Sequence, residues 1–515
     1  MKIELKTIDK FFLLASPFLL SLSKIVHYTA YNIDMVTGAQ FFIATITSLF
    51  FALIINLSFG ILIKDKIKSA IAATLFLFIF FQYKIFFDAV WRLHFFKEMF
   101  MVHIVLAVIV TTLIFRGALF LKKSTRDFKP FAKLLSIMTL IIVVPNVFLA
   151  TYHSIKIQKN SDFVLTRAYP KGNVLDNQDE GKPDIYYIIL DGYARADALK
   201  KHFNFDNSDF LSKLSQKGFI TAEKSFSNYT KTYLSLASSL NMKYINDLGA
   251  PAVRHPFYEA IKNPIIAQYL QSKGYSYIHF DTFWKGTETS YISDKNYNFS
   301  PILGKEFYNV LIRSTMLSPI LSNIAESYLY MFERLKEIPD FAGPTFTFVH
   351  FTIPHNPYVF DRNGDRRRNI PLSLQFQVDR GGWERKNEYI DQLIYLNKKV
   401  DEFVSEIIKK SKVRPIIILQ ADHGTSSMPK AKEDMDKHKE RNIRFFKERH
   451  AILNSYLIPS KCNNSLYPEI TPVNSFRVLF NCLFDDKFEI LEDKIYFSYY
   501  KWKHQVDITS YLIEE

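Results

Sequence analysis

Five apolar stretches, each close to twenty residues long, crowd into the first 152 positions of this 515-residue chain, at roughly 11–30, 41–63, 69–90, 99–121 and 134–152. A helix needs about 20 apolar residues to cross the hydrocarbon core of a bilayer, so each stretch is expected to be a membrane span. Lys24 and His27 interrupt the first, while Lys84 and Arg116 lie near the ends of the third and fourth, where long side chains reach the interface. A cleavable signal peptide has one apolar core, and four further spans argue against that reading. The chain therefore divides into an all-α transmembrane bundle of about five helices over 1–152, a polar linker over 153–182 carrying Pro170, Gly172 and Gly181, and a second domain over 183–515.

The loops between the spans set the expected orientation. Lys2, Lys6, Lys10, Lys64, Lys66, Lys68, Lys122, Lys123, Arg126, Lys129 and Lys133 fall on one side, against Arg92 and Lys97 on the other. Cytoplasmic loops collect Lys and Arg, so the N-terminus is expected inside, and five crossings put everything after residue 152 outside the cytoplasm. The same loops account for much of the formal net charge of +14. No zinc-finger spacing and no base-reading basic helix accompanies it, and nucleic acid is not an expected partner. The two cysteines, Cys462 and Cys482, form no CxxC. Outside the cytoplasm they can pair as a disulfide, and two buried thiols fit the sequence equally well.

Beyond residue 180 short β-branched and aromatic runs alternate with polar helical patterns. Three runs read as buried strands: Asp184 to Leu190 leading into Asp191-Gly192, Pro344 to Phe351 leading into Ile353-Pro354-His355-Asn356-Pro357, and Pro415 to Gln420 leading into Asp422-His423-Gly424. Between the last two, Leu393, Leu396, Val400 and Ile407 share one face of a helical pattern over Tyr389 to Lys409. Strands alternating with helices predict an α/β domain with a mostly parallel sheet, whose ligands bind at the carboxyl ends of the strands. Each of the three strands carries its polar residues at that end.

A fourth element is Ser227-Asn228-Tyr229-Thr230-Lys231-Thr232-Tyr233-Leu234-Ser235, which runs into a helical pattern. A hydroxyl at a helix N-terminus sits where backbone N–H groups favour an anion. A divalent cation held by Asp191, Asp422 and His423 would lower the hydroxyl's pKa and polarise a phosphoryl oxygen. Oxygen and imidazole donors without thiolate suit zinc or manganese alike.

The order D-G, T-x-x-S, P-H-x-P-Y and D-H-G resembles the sulfatase-type branch of the alkaline phosphatase superfamily over roughly residues 182–460, and the helical anchor makes the chain similar to lipoteichoic acid synthases and lipid A phosphoethanolamine transferases. The resemblance implies that Asp191, Thr232, Asp422 and His423 are metal ligands, that Thr232 is the nucleophile, and that His355 faces the substrate phosphoryl group or the leaving oxygen. Sulfatases oxidise Cys or Ser within C-x-P-S-R, whereas this chain has Thr232-Tyr233-Leu234-Ser235-Leu236, which favours a threonine nucleophile over sulfate-ester hydrolysis. Those synthases usually carry Glu where this chain has Asp191. The segment Glu448-Arg449-His450-Ala451-Ile452-Leu453-Asn454 is similar to the E-R-x-x-I-L-N stretch of membrane-bound sulfatase-like proteins.

Each signal has a plainer alternative. Asp-His-Gly is common in turns, Asp191 can end a strand, Thr232 can be an ordinary helix cap, and Thr230 competes with it. His350, inside a strand, reads as core. Asn228, Arg195 and Trp284 read as packing or solvated residues, and Arg366-Arg367-Arg368 as a solvated loop. The expected function is metal-dependent transfer of a phosphoryl-alcohol group from a phospholipid-type donor to an envelope lipid or glycan. Phosphodiester or sulfuric-ester hydrolysis is the alternative, and a non-catalytic membrane protein with this fold is the third reading.

Overall fold

The structure is a computed structural model that describes residues 2–91, 93, 99–158, 181–246, 254–299, 305–318, 324–367, 385–428, 431, 435–498 and 505–513. The chain forms two compact units, Met1–Ser161 with Glu306–Ser322, and Asp162–Lys305 with Asn323–Glu515.

The first unit is helical: α1 (Lys2–Leu14), α2 (Ser16–Tyr31), α3 (Gly38–Ile63), α4 (Lys66–Phe81), α5 (Tyr83–Trp91), α6 (Met99–Lys123) and α7 (Lys129–Gln158). Among the described residues, three helices are long and apolar enough to cross a membrane, and the count reaches five if each bent pair, α1 with α2 and α4 with α5, is one span. The pairs bend by 70° and 53°. Local chemistry sets the helix starts: Thr37 and Gln40 form a capping box on α3, and Asp65 caps α4 by accepting from the amides of Ile67 and Lys68. Small polar residues tie the helices together, as where the Ser16 and Thr74 hydroxyls meet at 2.7 Å. The last helix runs on to Gln158, and 159–180, most of the expected linker, lies outside the described residues. Residues 306–318 pack with this unit, Phe307 burying itself beside Ile25 and Ala44.

The second unit is built on a seven-stranded sheet ordered β2-β7-β6-β1-β5-β3-β4. Its strands are β1 (Ile185–Leu190), β2 (Ile220–Thr221), β3 (Ser276–Phe280), β4 (Lys295–Tyr297), β5 (Thr345–Phe351), β6 (Ile416–Gln420) and β7 (Asn454–Leu457). The β6-β1-β5-β3-β4 ladder is parallel, and β7 and β2 add antiparallel pairs at one edge. All three expected strands are present, each within one residue of its expected start.

Both faces of the sheet are covered, which is why β1, β5 and β6 are buried at every position and mostly apolar. Side chains alternate as the pleat requires. Tyr186, Ile188, Leu190, Val349, Phe351, Ile417 and Leu419 enter one core, and Ile185, Tyr187, Ile189, Phe346, Phe348, Ile416 and Ile418 the other. The expected helix spans Lys386–Lys410 and buries Leu393, Leu396, Val400 and Ile407 in the first core. Cys462 and Cys482 are joined by a disulfide, which resolves the two readings their spacing left open.

Candidate metal centre

Sheet register fixes the site. Because β1 lies between β5 and β6, with Leu190 opposite Phe351 and Ile189 opposite Gln420, the residues just past these three strands meet at one rim. Asp191 follows β1, its amide donating to the Phe351 carbonyl at 2.9 Å. Its own carbonyl accepts from the His355 amide at 3.0 Å, which holds the β5 loop against β1. Asp422 accepts from the Gly192 amide at 3.0 Å. Turns of two adjacent strands thus position each other's functional residue.

The His423 Nδ1 lies 2.9 Å from the Gly424 carbonyl, so Nδ1 carries the proton and Nε2 presents its lone pair. That Nε2 lies 3.4 Å from Thr232 Oγ1, 3.4 Å from Asp422 Oδ2 and 3.6 Å from Asp191 Oδ1. Thr232 opens the helix Thr232–Ser239, where the aligned N–H groups favour an anion. His355 enters the same cluster: donor atoms of Asp191, His355 and His423 all lie within 4.8 Å of one another. Its Nδ1 faces the Asn356 carbonyl at 2.8 Å, which fixes its tautomer in the same way. The structure therefore gathers Asp191, Thr232, Asp422 and His423 and brings His355 among them, within reach of a cation as well as of a substrate.

The electrostatics are those of a site short of positive charge. Burial alone would raise the Asp191 carboxyl, but His355, His350 and His423 hold it well below the usual range. Burial and the neighbouring Asp191 push Asp422 well above it. Burial and then Arg449 keep the His423 imidazole neutral, as a ligand must be. Among the described residues, Asp191 Oδ1 and Asp422 Oδ2 are buried with no hydrogen-bond partner. Buried carboxylate oxygens without donors are costly unless a cation satisfies them, and the donor set of carboxylates, imidazoles and a hydroxyl fits a divalent ion such as zinc or manganese.

Several contributors escape sequence reasoning. His350, expected to be core, is fully buried, yet its Nε2 lies 3.4 Å from Asp191 Oδ2 and its Nδ1 3.1 Å from Thr287 Oγ1. A polar residue at the carboxyl end of an otherwise apolar buried strand was the available signal. The edge of Trp284 meets the His350 ring at 5.3 Å, and behind it Lys262 and Lys285 both donate to the buried Glu288 Oε1, at 3.2 and 2.7 Å. Arg449 donates to the Gly424 carbonyl at 2.9 Å and to the Thr230 carbonyl at 2.8 Å, linking the metal loop to the threonine loop. Asn228 and Arg195 pack as expected: Asn228 bonds Thr471, Lys494 and Val473, and Arg195 lies over Phe226. Arg366 pairs with Glu326 and Arg367 with Asp391, while Arg368 lies outside the described residues.

A family model described as Sulfatase matches residues 183–458. No curated protein matches the sequence significantly. Among solved structures, the chain is similar to the C-terminal periplasmic domain of EcEptC from Escherichia coli (TM-score 0.42, 12% identity, covering 66% of this chain and 97% of that one). It is also similar to the integral membrane protein lipooligosaccharide phosphoethanolamine transferase A from Neisseria meningitidis (TM-score 0.38, 12% identity, 91% and 95%). The lipoteichoic acid synthase LtaP from Listeria monocytogenes gives a TM-score of 0.38 at 13% identity, with 64% and 78% covered.

Proposed function

The chain belongs to the sulfatase family, matched over more than half its length, and from that premise we propose that it is a membrane-anchored, metal-dependent transferase moving a phosphoryl-alcohol group from a phospholipid-type donor to an envelope lipid or glycan through Thr232. Membership makes it an enzyme of the phosphotransferase or hydrolase kind. The observation that carries the finer reading is the seat of Thr232. Its hydroxyl opens a helix and lies 3.4 Å from His423 Nε2, which in turn lies 3.4 Å from Asp422 Oδ2 and 3.6 Å from Asp191 Oδ1, two buried oxygens with no hydrogen-bond partner among the described residues. An oxidisable cysteine or serine, which sulfate-ester hydrolysis of the sulfatase kind requires, is replaced there by threonine.

Asp191, Asp422, His423 and Thr232 would hold the cation, with His355 close enough to join them. When bound, the ion would polarise the phosphoryl oxygen and acidify the threonine hydroxyl. Thr232 Oγ1 attacks the donor phosphorus and gives up its proton to water. The bond from phosphorus to the donor lipid's oxygen breaks, and this oxygen leaves on the side of His355, taking a proton from water to become an alcohol. The phosphoryl-alcohol group is then an ester of Thr232. In the second half the neutral His355 takes the proton of the acceptor hydroxyl, whose oxygen attacks phosphorus; the bond from phosphorus to Thr232 Oγ1 breaks, and the threonine oxygen recovers that proton from His355. Hydrolysis differs only in that water is the acceptor.

The Cys462–Cys482 disulfide supports placing this unit outside the cytoplasm, since such bonds persist in oxidising compartments. The Lys/Arg asymmetry of the helical loops supports a cytoplasmic N-terminus. An anchor confines enzyme and lipid donor to one surface and raises their effective concentration. Mass spectrometry of the protein purified from its native membrane tests the reading: a phosphoryl-alcohol mass on the peptide carrying Thr232 is expected. An unmodified threonine during turnover with chromogenic phosphodiesters would remove the covalent step.

A further inference from the structure

We propose that the Lys/Arg-rich end of the helical unit holds one anionic diacyl phospholipid, an acyl chain lying in a groove between α3, α4, α6 and α7 and the phosphate resting on the basic residues at its mouth. The proposal is independent of the catalytic reading. The groove has a volume of about 410 Å³ and a lining that is apolar throughout. It follows α4 from Ile71 to Ile79 and α6 from Leu121 back to Leu113. Eight residues of helix rise on the order of 12 Å, and one leaflet of a hydrocarbon core of about 30 Å is on the order of 15 Å deep. The slot thus matches one leaflet's share of a chain. Its space is open: a Cβ added at Gly117, on the wall, would meet nothing within 4 Å.

One end of the slot is basic. There the α3–α4 and α6–α7 turns are joined, because Lys68 Nζ donates to the Ser124 carbonyl at 2.7 Å and lies 6.0 Å from the Phe128 ring, which lines the groove. Lys122 and Lys123 follow directly on the lining residue Leu121, and Arg126 and Lys129 flank Phe128; all four are exposed. The acidic residues nearby are already committed. Asp65 caps α4, Asp127 accepts from the Lys129 amide at 3.0 Å, and Asp9 pairs with Lys133 at 2.8 Å. A topogenic excess of Lys and Arg accounts for the charge alone. It does not account for an apolar slot of leaflet depth ending beneath that charge, which is the complement of an anionic lipid.

The test uses the full chain in neutral detergent, incubated with equal phosphatidylglycerol and phosphatidylcholine of identical acyl chains and read by native mass spectrometry. One phosphatidylglycerol per chain is expected, retained at least tenfold over phosphatidylcholine. The triple variant Lys122→Gln, Lys123→Gln, Arg126→Gln should cut that preference at least tenfold. Gly117→Leu, which fills the slot, should abolish retention, and Gly117→Ala should preserve it. Equal retention of both lipids, no retention, or wild-type behaviour of the triple variant would overturn the proposal. Should Gly117→Leu fail to fold, as judged by size exclusion and circular dichroism, the charge variant decides alone.

Discussion

Glu448 accepts a hydrogen bond from Thr425 Oγ1 at 2.8 Å, so a residue on the helix Met435–His450 grips the loop that carries Asp422 and His423. The same carboxylate also takes the amides of Ser427 at 2.6 Å and Met428 at 3.0 Å, and it is fully buried. Glu448→Ala strands one buried and two half-buried donors, each worth up to roughly 1–3 kcal/mol. Partial relaxation should leave a loss of about 2–4 kcal/mol. Thermal unfolding should show it, together with reduced metal retention. Full metal content at wild-type stability would mean that the loop holds its shape without this clamp.

Gly424 makes the neighbouring contact. A Cβ there would stand 2.3 Å from the Glu448 carbonyl oxygen and 2.7 Å from that of Ala451, both backbone atoms that cannot swing aside. Gly424→Ala must therefore push the metal loop away from the helix end, at about 1–3 kcal/mol for overpacking. The shift should carry His423 out of register. Metal stoichiometry by mass spectrometry of the elements should fall well below wild type, more than the stability loss alone explains.

These two contacts also mark where sequence reading stopped. Strands β1, β5 and β6 were legible because burial on both faces leaves apolar runs ending in polar residues, and the carboxyl-end rule then located Asp191, His355, Asp422 and His423. The first and third apolar stretches were legible as length, but not as helix pairs bent by 70° and 53°, since apolar patterning carries no signal for a break. Glu448 and Arg449 were visible only as part of a motif without a role. Their work is to bond backbone carbonyls and amides of a distant loop, and such bonds leave no trace in spacing. His350 is core, as its place inside a strand predicts, and is as buried as its neighbours; only the β1–β5 register shows that its ring also meets Asp191.

Thr232 should matter more to turnover than to metal binding. Thr232→Ala removes the proposed nucleophilic oxygen and one of the proposed ligands but leaves Asp191, Asp422, His355 and His423 in place to retain the cation. Turnover should drop by roughly 10³-fold or more, as when other enzymes lose their nucleophile. Thr232→Ser should retain measurable activity, because the hydroxyl stays at the helix N-terminus. Steady-state assays with a chromogenic phosphodiester, paired with metal analysis, check both. Substantial activity in the alanine variant would place the nucleophile elsewhere.

Metal binding and pH should be linked through Asp422. Its carboxyl is pushed well above the usual range by burial and by Asp191, so the metal-free protein keeps a proton there that the unfolded chain has lost. The sign follows: this group's contribution to metal-free stability is full below its unfolded pKa of about 3.9 and is lost as pH rises through the folded value. Asp191, held low by its histidines despite burial, works in the opposite direction, and the two titrate as a pair. A cation satisfies both carboxylates at once and displaces the shared proton. The stabilisation that zinc confers should therefore be larger at pH 8 than at pH 5.5, measured as the Tm difference between metal-loaded and chelator-treated protein. Calorimetry in buffers of different ionisation enthalpy should detect proton release on binding. A Tm difference equal at the two pH values, with no proton released, would mean that Asp422 is already ionised before the metal arrives.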